Sequence, residues 1–237
     1  MEHHSEVGYS TPHYLFHGLT MKCLFPVALL GLLLCALNGC SIIGVAAHAL
    51  PPPTVPASYK NLPGHTVAVM VSVDRAIQID FPSIQLDLAS AIQSKLKVAQ
   101  KADKPAELKD TKWTIDPRSV VKYQQDHPDV EAMPVTSVAP ALGAERVIFV
   151  EIENFQTRSE ASIELFRGVA TATLKVVEVD GPNAKTVYEE NTIRAASPQK
   201  PVEGIPNSTD YKTYLATMDE LSTQIAVRFF PHPQDEE

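Results

Sequence analysis

Two glutamates, Glu151 and Glu153, have a spacing that could support acid–base chemistry. They lie at i and i+2 on a predicted strand over 146–155, so their side chains point to the same face. Paired carboxylates roughly 5 to 9 Å apart can act as acid and base in glycoside hydrolysis. The neighbouring sequence supplies no third catalytic group and no aromatic cluster. The pattern therefore favours a solvated strand face, with a hydrolase as the weaker alternative.

The other chemistry-bearing residues do not form a recognisable catalytic or metal-binding set. The histidines after residue 40 are scattered and lack a metal-ligand spacing such as HExxH: His48, His65, His127 and His232. There is no Gly-x-Ser-x-Gly and no phosphate loop, and the chain has only 10 Gly. We predict that the protein is not an enzyme and that it binds no cofactor and no metal.

Cys40 stands at the end of a short apolar run that follows Met21-Lys22. A membrane-spanning helix needs about 20 apolar residues, and this run is shorter. A basic start, an apolar middle and small residues at the end are typical of a secretory signal peptide. The run is apolar on all sides, which argues against a helix of a soluble core. We predict a signal peptide over residues 21–39.

The residues before the cysteine, Leu37-Asn38-Gly39-Cys40, resemble the lipobox of bacterial lipoproteins. Asn38 is a less usual choice than Ala or Ser at its position. The resemblance implies that Cys40 receives a diacylglyceryl thioether, that the chain is cut before it, and that the new amino terminus is acylated. Several acyl chains bind a membrane much more firmly than one chain does. Ser41 follows the cysteine, which by the sorting rule of this class favours the outer membrane.

Residues 1–20 lie upstream of what is already a complete signal peptide. They are polar and contain four His but no Lys or Arg. We interpret them as the result of a start site assigned too early, with Met21 as the true start. Cleavage before Cys40 would discard these histidines, so they are not expected to form a metal site.

The chain from Cys40 onward is acidic and has a single cysteine. Removing residues 1–39 takes away one Lys and two Glu, which leaves 19 basic and 26 acidic residues and a net charge of −7. This charge argues against nucleic acid as a partner. With Cys40 acylated, no disulfide can form within the chain, so an ordinary apolar core must stabilise it.

The segment over 40–62 contains Pro51-Pro52-Pro53 and Pro56. Consecutive prolines favour an extended spacer, and we interpret 40–62 as a tether between the lipid and the domain. The alternative is a loop that packs along the domain. The globular domain is predicted over 63–232, followed by an acidic tail over 233–237.

Apolar periodicity predicts a single α+β domain. We expect a mixed sheet of about four to five strands, in the order β-α-α-α-β-β-β-α, with helices mainly on one face. The strands over 65–73 and 146–155 are joined by a crossover and should be parallel. In the last strand, Val187 and Ile193 should share a face. The predicted elements are strands over 65–73, 146–155, 168–179 and 185–195, helices beginning at Pro82-Ser83, at Asp116-Pro117 and within 134–142, a helix over 209–230, and a short strand at Trp113–Ile115.

This order behind a lipobox resembles periplasmic lipoproteins with a TolB amino-terminal-like domain, whose relatives include the curli secretion lipoproteins. The matching segments cover roughly 65–232. They include HTVAVMVSV, SIQLDLASAIQSKL and the step Leu142-Gly143-Ala144-Glu145-Arg146 before a strand. The curli relatives form pores from long hairpins. Here the stretch over 155–169 is polar, which argues against a pore.

These features predict an envelope lipoprotein that acts as a non-enzymatic binding or scaffold component of a periplasmic or secretion assembly. Its expected contacts are the membrane, through the lipid, and an envelope protein or a second copy of itself. The alternatives are a subunit of an oligomeric export channel and, more weakly, a periplasmic hydrolase using Glu151 and Glu153. Phe229-Phe230 ends the last helix, and one of the two is a candidate partner contact. Trp113 is expected at the edge of the core.

Overall fold

The structure, a computed structural model, describes residues 53–102 and 105–234. The lipobox, the signal peptide and residues 40–52 of the predicted tether lie outside these ranges. The strands in chain order are β1 (Thr54–Val55), β2 (Val67–Val73), β3 (Arg146–Arg158), β4 (Phe166–Asp180), β5 (Asn183–Ser197) and β6 (His232–Pro233).

Five α-helices connect or follow these strands in the described residues. They are α1 (Arg75–Asp80), α2 (Ile84–Ala102), α3 (Pro117–Asp126), α4 (Val135–Val138) and α5 (Asp210–Ala226). Short 3₁₀ helices lie at Ala106–Leu108, Pro128–Ala132, Ala139–Leu142 and Val227–Phe229.

Local sequence signals explain where several of these helices begin or end. The Asp116 carboxylate accepts a hydrogen bond from the Arg118 N–H and caps α3, and Gly143 ends the turn after α4 with φ at +69°.

The main sheet has four strands in the order β2-β3-β4-β5. β2 and β3 are parallel, with Val67 opposite Arg146, and the other two pairs are antiparallel. This confirms the predicted α+β class, the mixed sheet and the crossover. β1 and β6 form a separate antiparallel pair that brings the two ends of the described chain together.

Apolar side chains pack on both faces of the sheet. The larger core lies between one face and the two long helices, α2 and α5, with fully buried residues such as Leu88, Ile148 and Leu221. A smaller core on the other face is covered by α3, α4 and the adjoining turns, around Val120 and Phe149. The two long helices therefore share one face, as predicted, and the shorter helices cover part of the second.

The free edge of β2 is covered by side chains from helices. The amides of Gln85 on α2 and Gln124 on α3 both donate hydrogen bonds to the carbonyl oxygen of Val71, at 3.1 and 3.0 Å. Both glutamines are buried. An exposed edge could pair with another chain, and these two amides satisfy its outward carbonyl at this point.

Some sequence predictions differ from the structure. Val187 and Ile193 do not share a face, because Val187 is 38% exposed and Ile193 only 3%. Two register shifts in the β4–β5 pairing lie on this strand, and Thr192 has a φ of +62°. Each inserted residue reverses the alternation of side chains, which a strict period of two cannot represent.

The packed domain also begins earlier in the chain than predicted, and it contains an additional short helix. Tyr59 and Leu62, within the predicted tether, are buried in the larger core, so the alternative of a loop packed along the domain describes this part. Helix α1 has no buried residue and thus no apolar stripe to reveal it. At the predicted short strand, Trp113 packs against the larger core, and the bridge to Thr66 is made by Lys112.

Candidate functional site

Glu151 and Glu153 lie on the part of β3 that is exposed to solvent. Glu151 is 3.9 Å from the ammonium group of Lys175, which is also 3.6 Å from the Glu189 carboxylate. Glu153 accepts a 2.6 Å hydrogen bond from the Thr173 hydroxyl. The pairing of β3 with β4 shifts register between Ile152 and Asn154, so the regular alternation of side chains is interrupted at Glu153. The two carboxylates thus have different partners on an open, ion-paired strand surface.

Phe229 and Phe230 have different environments. Phe229 is fully buried, and its ring packs edge-on against Tyr59 with the centroids 6.2 Å apart. Phe230 is half-buried and lines a shallow groove with Val98 and Val227, at the carboxyl ends of α2 and α5. The structure therefore leaves Phe230 as the member of the pair that a partner could reach.

The other predicted site residues fall in two groups. Cys40 and the box residues Leu37, Asn38 and Gly39 lie outside the described residues. Over residues 53–102 and 105–234, no cluster of three or more His, Cys, Asp or Glu has a geometry that could hold a metal ion. In the same ranges, no helix is long and apolar enough to cross a bilayer.

A polar cleft of about 540 Å³ lies at the amino-terminal ends of β2 and β3, beside the β4–β5 turn. Arg146 and Glu178 lie next to each other in its wall, with Arg146 Nε 3.6 Å from Glu178 Oε1. Only 10% of the Arg146 side chain and 20% of the Glu178 side chain are exposed. An ion pair that is this deeply buried needs further hydrogen bonds to offset its desolvation.

Most of those hydrogen bonds come from residues 59–61, through which the chain enters the domain; they are called the entering segment below. Glu178 Oε1 accepts from Asn61 Nδ2 at 2.7 Å and from the Tyr59 hydroxyl at 3.1 Å. Arg146 Nε donates to the Asn61 carbonyl oxygen at 3.2 Å. Arg146 Nη1 donates to the carbonyl oxygen of Glu145 at 2.7 Å. The network thus fastens residues 59–61 to the start of the sheet.

The same network shifts two pKa values. The hydrogen bond from Asn61 and the Arg146 charge hold the pKa of Glu178 below its usual value, against the effect of partial burial. Burial, with Glu178 beside it, raises the pKa of Tyr59 to about 12. At neutral pH, Glu178 is therefore ionised and Tyr59 is a protonated donor.

Glu145 and His65 form the outer rim of the cleft. The Glu145 carboxylate accepts a 2.7 Å hydrogen bond from the Thr66 N–H, which lowers the pKa of Glu145. Its other oxygen is 3.6 Å from His65 Nδ1, and His65 Nε2 is 3.1 Å from Arg146. The Glu145-Arg146 step that carried the family resemblance therefore joins β2, β3 and the entering segment.

Sequence reasoning identified Glu145 and Arg146 as a motif but did not find Tyr59, Asn61 or Glu178. Tyr59 and Asn61 fell within the predicted tether. Glu178 lies on a strand whose pairing with Arg146 exists only once β3 and β4 are in register. The one available signal was an acidic residue near the end of an otherwise apolar strand.

No protein-family model and no curated protein matches the chain. The resemblance to TolB amino-terminal-like lipoproteins thus stays a prediction.

Several solved bacterial structures are similar to parts of this chain. A hypothetical protein from Chlamydia trachomatis is 18% identical over 69% of this chain and 91% of its own, with a TM-score of 0.40. PelC from Paraburkholderia phytofirmans, solved as a dodecamer, is 10% identical over 76% and 99%, with a TM-score of 0.39. Lipoprotein GNA1162 from Neisseria meningitidis is 14% identical over 63% and 88%, with a TM-score of 0.34. These likenesses are too weak to assign this chain a function or an oligomeric state.

Proposed function

We propose that the protein is a lipid-anchored lipoprotein of the bacterial envelope that works as a non-enzymatic binding or scaffold component. The observation that carries the proposal is the Leu37-Asn38-Gly39-Cys40 box directly after a short apolar run. A lipid on Cys40 holds the folded domain at a membrane surface without a spanning helix. Ser41 supports the outer membrane as the destination.

The geometry of the domain is compatible with an anchor at this position. Twelve residues, 41–52, lie between Cys40 and the first described residue, and such a segment can span at most about 40 Å. The chain then reaches the carboxyl end of α5, where the N–H groups of Ser58 and Tyr59 donate to the Arg228 carbonyl oxygen at 2.8 and 3.0 Å. An anchored chain would therefore hold this end of the domain within a short distance of the membrane.

The binding role is supported by the character of the described surface. Glu151 and Glu153 are engaged with Lys175 and Thr173 on an open strand. Arg146 and Glu178, in the wall of the polar cleft, are engaged in a network that fastens the entering segment. Grooves with apolar walls lie at both ends of the long helices. This combination suits contact with another macromolecule better than turnover of a small substrate.

Metabolic labelling with a palmitate analogue tests the anchor. We expect the wild-type chain to incorporate the label and the Cys40→Ala variant to incorporate none. The matched control is Cys35→Ala, which changes a cysteine inside the predicted signal peptide and should leave the labelling intact. A Cys40→Ala protein that still takes up the label, or a wild-type protein whose Cys40 thiol is unmodified by mass spectrometry, would exclude the proposed anchor.

A further inference from the structure

A groove with a volume of about 470 Å³ lies at the amino-terminal ends of the two long helices. Phe81 precedes α2, and Tyr211, Tyr214 and Leu215 belong to the first turns of α5. The groove lies at the opposite end of α5 from the place where the chain enters the domain. A helix of this length, 17 residues, spans about 25 Å.

The apolar floor of the groove is fixed by aromatic packing. The Phe81 ring stacks on Tyr214 with the centroids 5.6 Å apart and an interplanar angle of 12°. Phe155 packs edge-on against both rings, at 4.9 Å and 5.5 Å. A rigid aromatic floor loses little conformational entropy when a ligand binds.

The walls of the groove expose apolar surface that the core does not use. Tyr211 is 69% exposed and Leu215 is 47% exposed, although both lie on the helix that covers the sheet. Ile79, which precedes the lining residue Asp80 on α1, is also 69% exposed. Large apolar side chains grouped around a concavity are typical of a protein contact site.

The rim of the groove is acidic. Asp80 is exposed, and the Asp87 carboxylate accepts hydrogen bonds from the hydroxyls of Ser83 and Tyr214, both at 2.7 Å. These donors are uncharged, and Asp87 lies in the first turn of α2, where a negative charge is favourable. The third carboxylate, Asp210, is paired with Arg158. Two negative charges therefore remain at the mouth of an apolar groove, and a partner with basic side chains complements them.

We propose that this groove docks a segment of a partner protein in which an apolar side chain is flanked by Lys or Arg. The apolar side chain lies on Phe81 and Tyr214, between Tyr211 and Leu215, and the basic groups face Asp80 and Asp87. This names the partner chemistry for the binding role proposed above and rests on that role. The groove is on the end of the domain away from the entering chain.

Binding of a defined peptide tests the proposal. The probe is fluorescein-labelled Lys-Arg-Leu-Phe-Arg, with Glu-Asp-Leu-Phe-Glu as the matched acidic peptide. The protein is the full chain purified from cells into phosphatidylcholine nanodiscs, and empty nanodiscs correct for binding to lipid. By fluorescence anisotropy, we expect the basic peptide to bind at least tenfold more tightly than the acidic one.

Variants locate the binding on the protein. Leu215→Ser and Tyr211→Ser should each weaken binding of the basic peptide tenfold or more, and Asp80→Asn should weaken it several-fold. The matched controls are Met133→Ser, an apolar residue that is 46% exposed shortly before α4, and Asp129→Asn, an exposed carboxylate elsewhere. Both should stay within twofold of wild type.

Three results would overturn the proposal. The first is that the basic peptide does not bind more tightly than the acidic one. The second is equal weakening by Met133→Ser and Leu215→Ser. The third is a concentration-dependent dimer in sedimentation that Leu215→Ser abolishes. The last result would assign the groove to a second copy of the chain. Because all five variants are at exposed positions, circular dichroism is expected to show an unchanged fold. Peptide binding is measured independently of the palmitate label, so failure of the anchor and failure of the groove are distinguishable.

Discussion

Glu178 accepts hydrogen bonds from two residues of the entering segment and faces Arg146 across the polar cleft. Glu178 therefore stabilises the fold by joining three separate parts of the chain. The carboxylate lies on β4, the guanidinium on β3 and the remaining donors on a segment that belongs to no regular element. Removing the charge leaves Arg146, which is nearly buried, with one fewer compensating group.

At the residue scale, we predict that Glu178→Gln lowers the free energy of unfolding at pH 7 by about 1–3 kcal/mol. The pKa of Glu178 is lowered by folding from the ordinary value of 4.5. Its stabilising effect is thus fully present above about pH 4.5 and is lost as the pH falls through the lowered folded value. The difference between wild type and variant should shrink as the pH falls below about 4.5. Urea unfolding at a series of pH values measures it.

The control for this prediction is Glu164→Gln, at an exposed position in the loop between β3 and β4. Its free energy of unfolding should stay within about 0.5 kcal/mol of wild type at every pH. If the Glu178→Gln difference did not change with pH, the ionised carboxylate would not be the source of the stabilisation.

At the scale of elements, the contact between β4 and α5 is unusually close. Gly168 on β4 faces Thr217, which is fully buried on α5 and whose hydroxyl donates to the Thr213 carbonyl oxygen at 2.7 Å. A Cβ at residue 168 would overlap the Thr217 hydroxyl and lie 2.9 Å from its Cβ. The glycine lets the helix lie directly on the strand.

We therefore predict that Gly168→Ala lowers the free energy of unfolding by about 1–3 kcal/mol through overpacking. Thr217→Ala removes the overlapping hydroxyl, so the double variant should be more stable than the sum of the two single effects implies. The expected coupling is about 0.5–3 kcal/mol. A double-mutant cycle by urea unfolding measures it, and strictly additive effects would contradict the close contact.

A second prediction at this scale concerns the start of α3. The Asp116 carboxylate accepts the Arg118 N–H at 2.8 Å, and α3 carries Gln124, which covers the edge of β2. Asp116→Ala should cost about 1 kcal/mol, because an N-cap acceptor is lost. Asp116→Asn should retain most of the stability, since Asn caps helices equally well. Thermal unfolding of the two variants compares them directly.

At the scale of the whole molecule, the proposed anchor and the described core use different parts of the chain. The two hydrophobic cores draw on residues from 59 to 229, whereas the predicted lipid site is Cys40. The anchor would then determine where the domain is found, and the core would determine whether it folds.

We predict that Cys40→Ser moves the protein from the membrane fraction to the soluble fraction of cells. Its thermal midpoint should change by less than about 2 °C, which corresponds to at most about 1 kcal/mol for a domain of this size. Fractionation followed by a thermal scan of the purified variant measures both quantities. A large loss of thermal stability would mean that the lipid contributes to the fold as well as to the location.

The amino-acid sequence alone determined the features that depend on neighbouring residues. Apolar periodicity predicted the cores of the four sheet strands and the long helices, and the Asp116-Pro117 and Gly143 signals predicted their local boundaries, because caps and periodic faces act within a few residues. The Leu37–Cys40 box is also a local signal. It carries the proposed function without help from the fold.

Only the tertiary structure decided how distant residues meet. The register shift between Glu190 and Ile193 in β5 puts Ile193 on the same face as Tyr188, so the adjacent Val187 lies on the opposite face. A register shift depends on the partner strand as well as on the sequence of the strand itself. Asn61, Arg146 and Glu178 came together because β2, β3 and β4 align their ends. The groove exists because two parallel helices, separated by more than a hundred residues of sequence, begin at the same edge of the sheet. Such contacts are set by packing across the whole chain, and no local pattern encodes them.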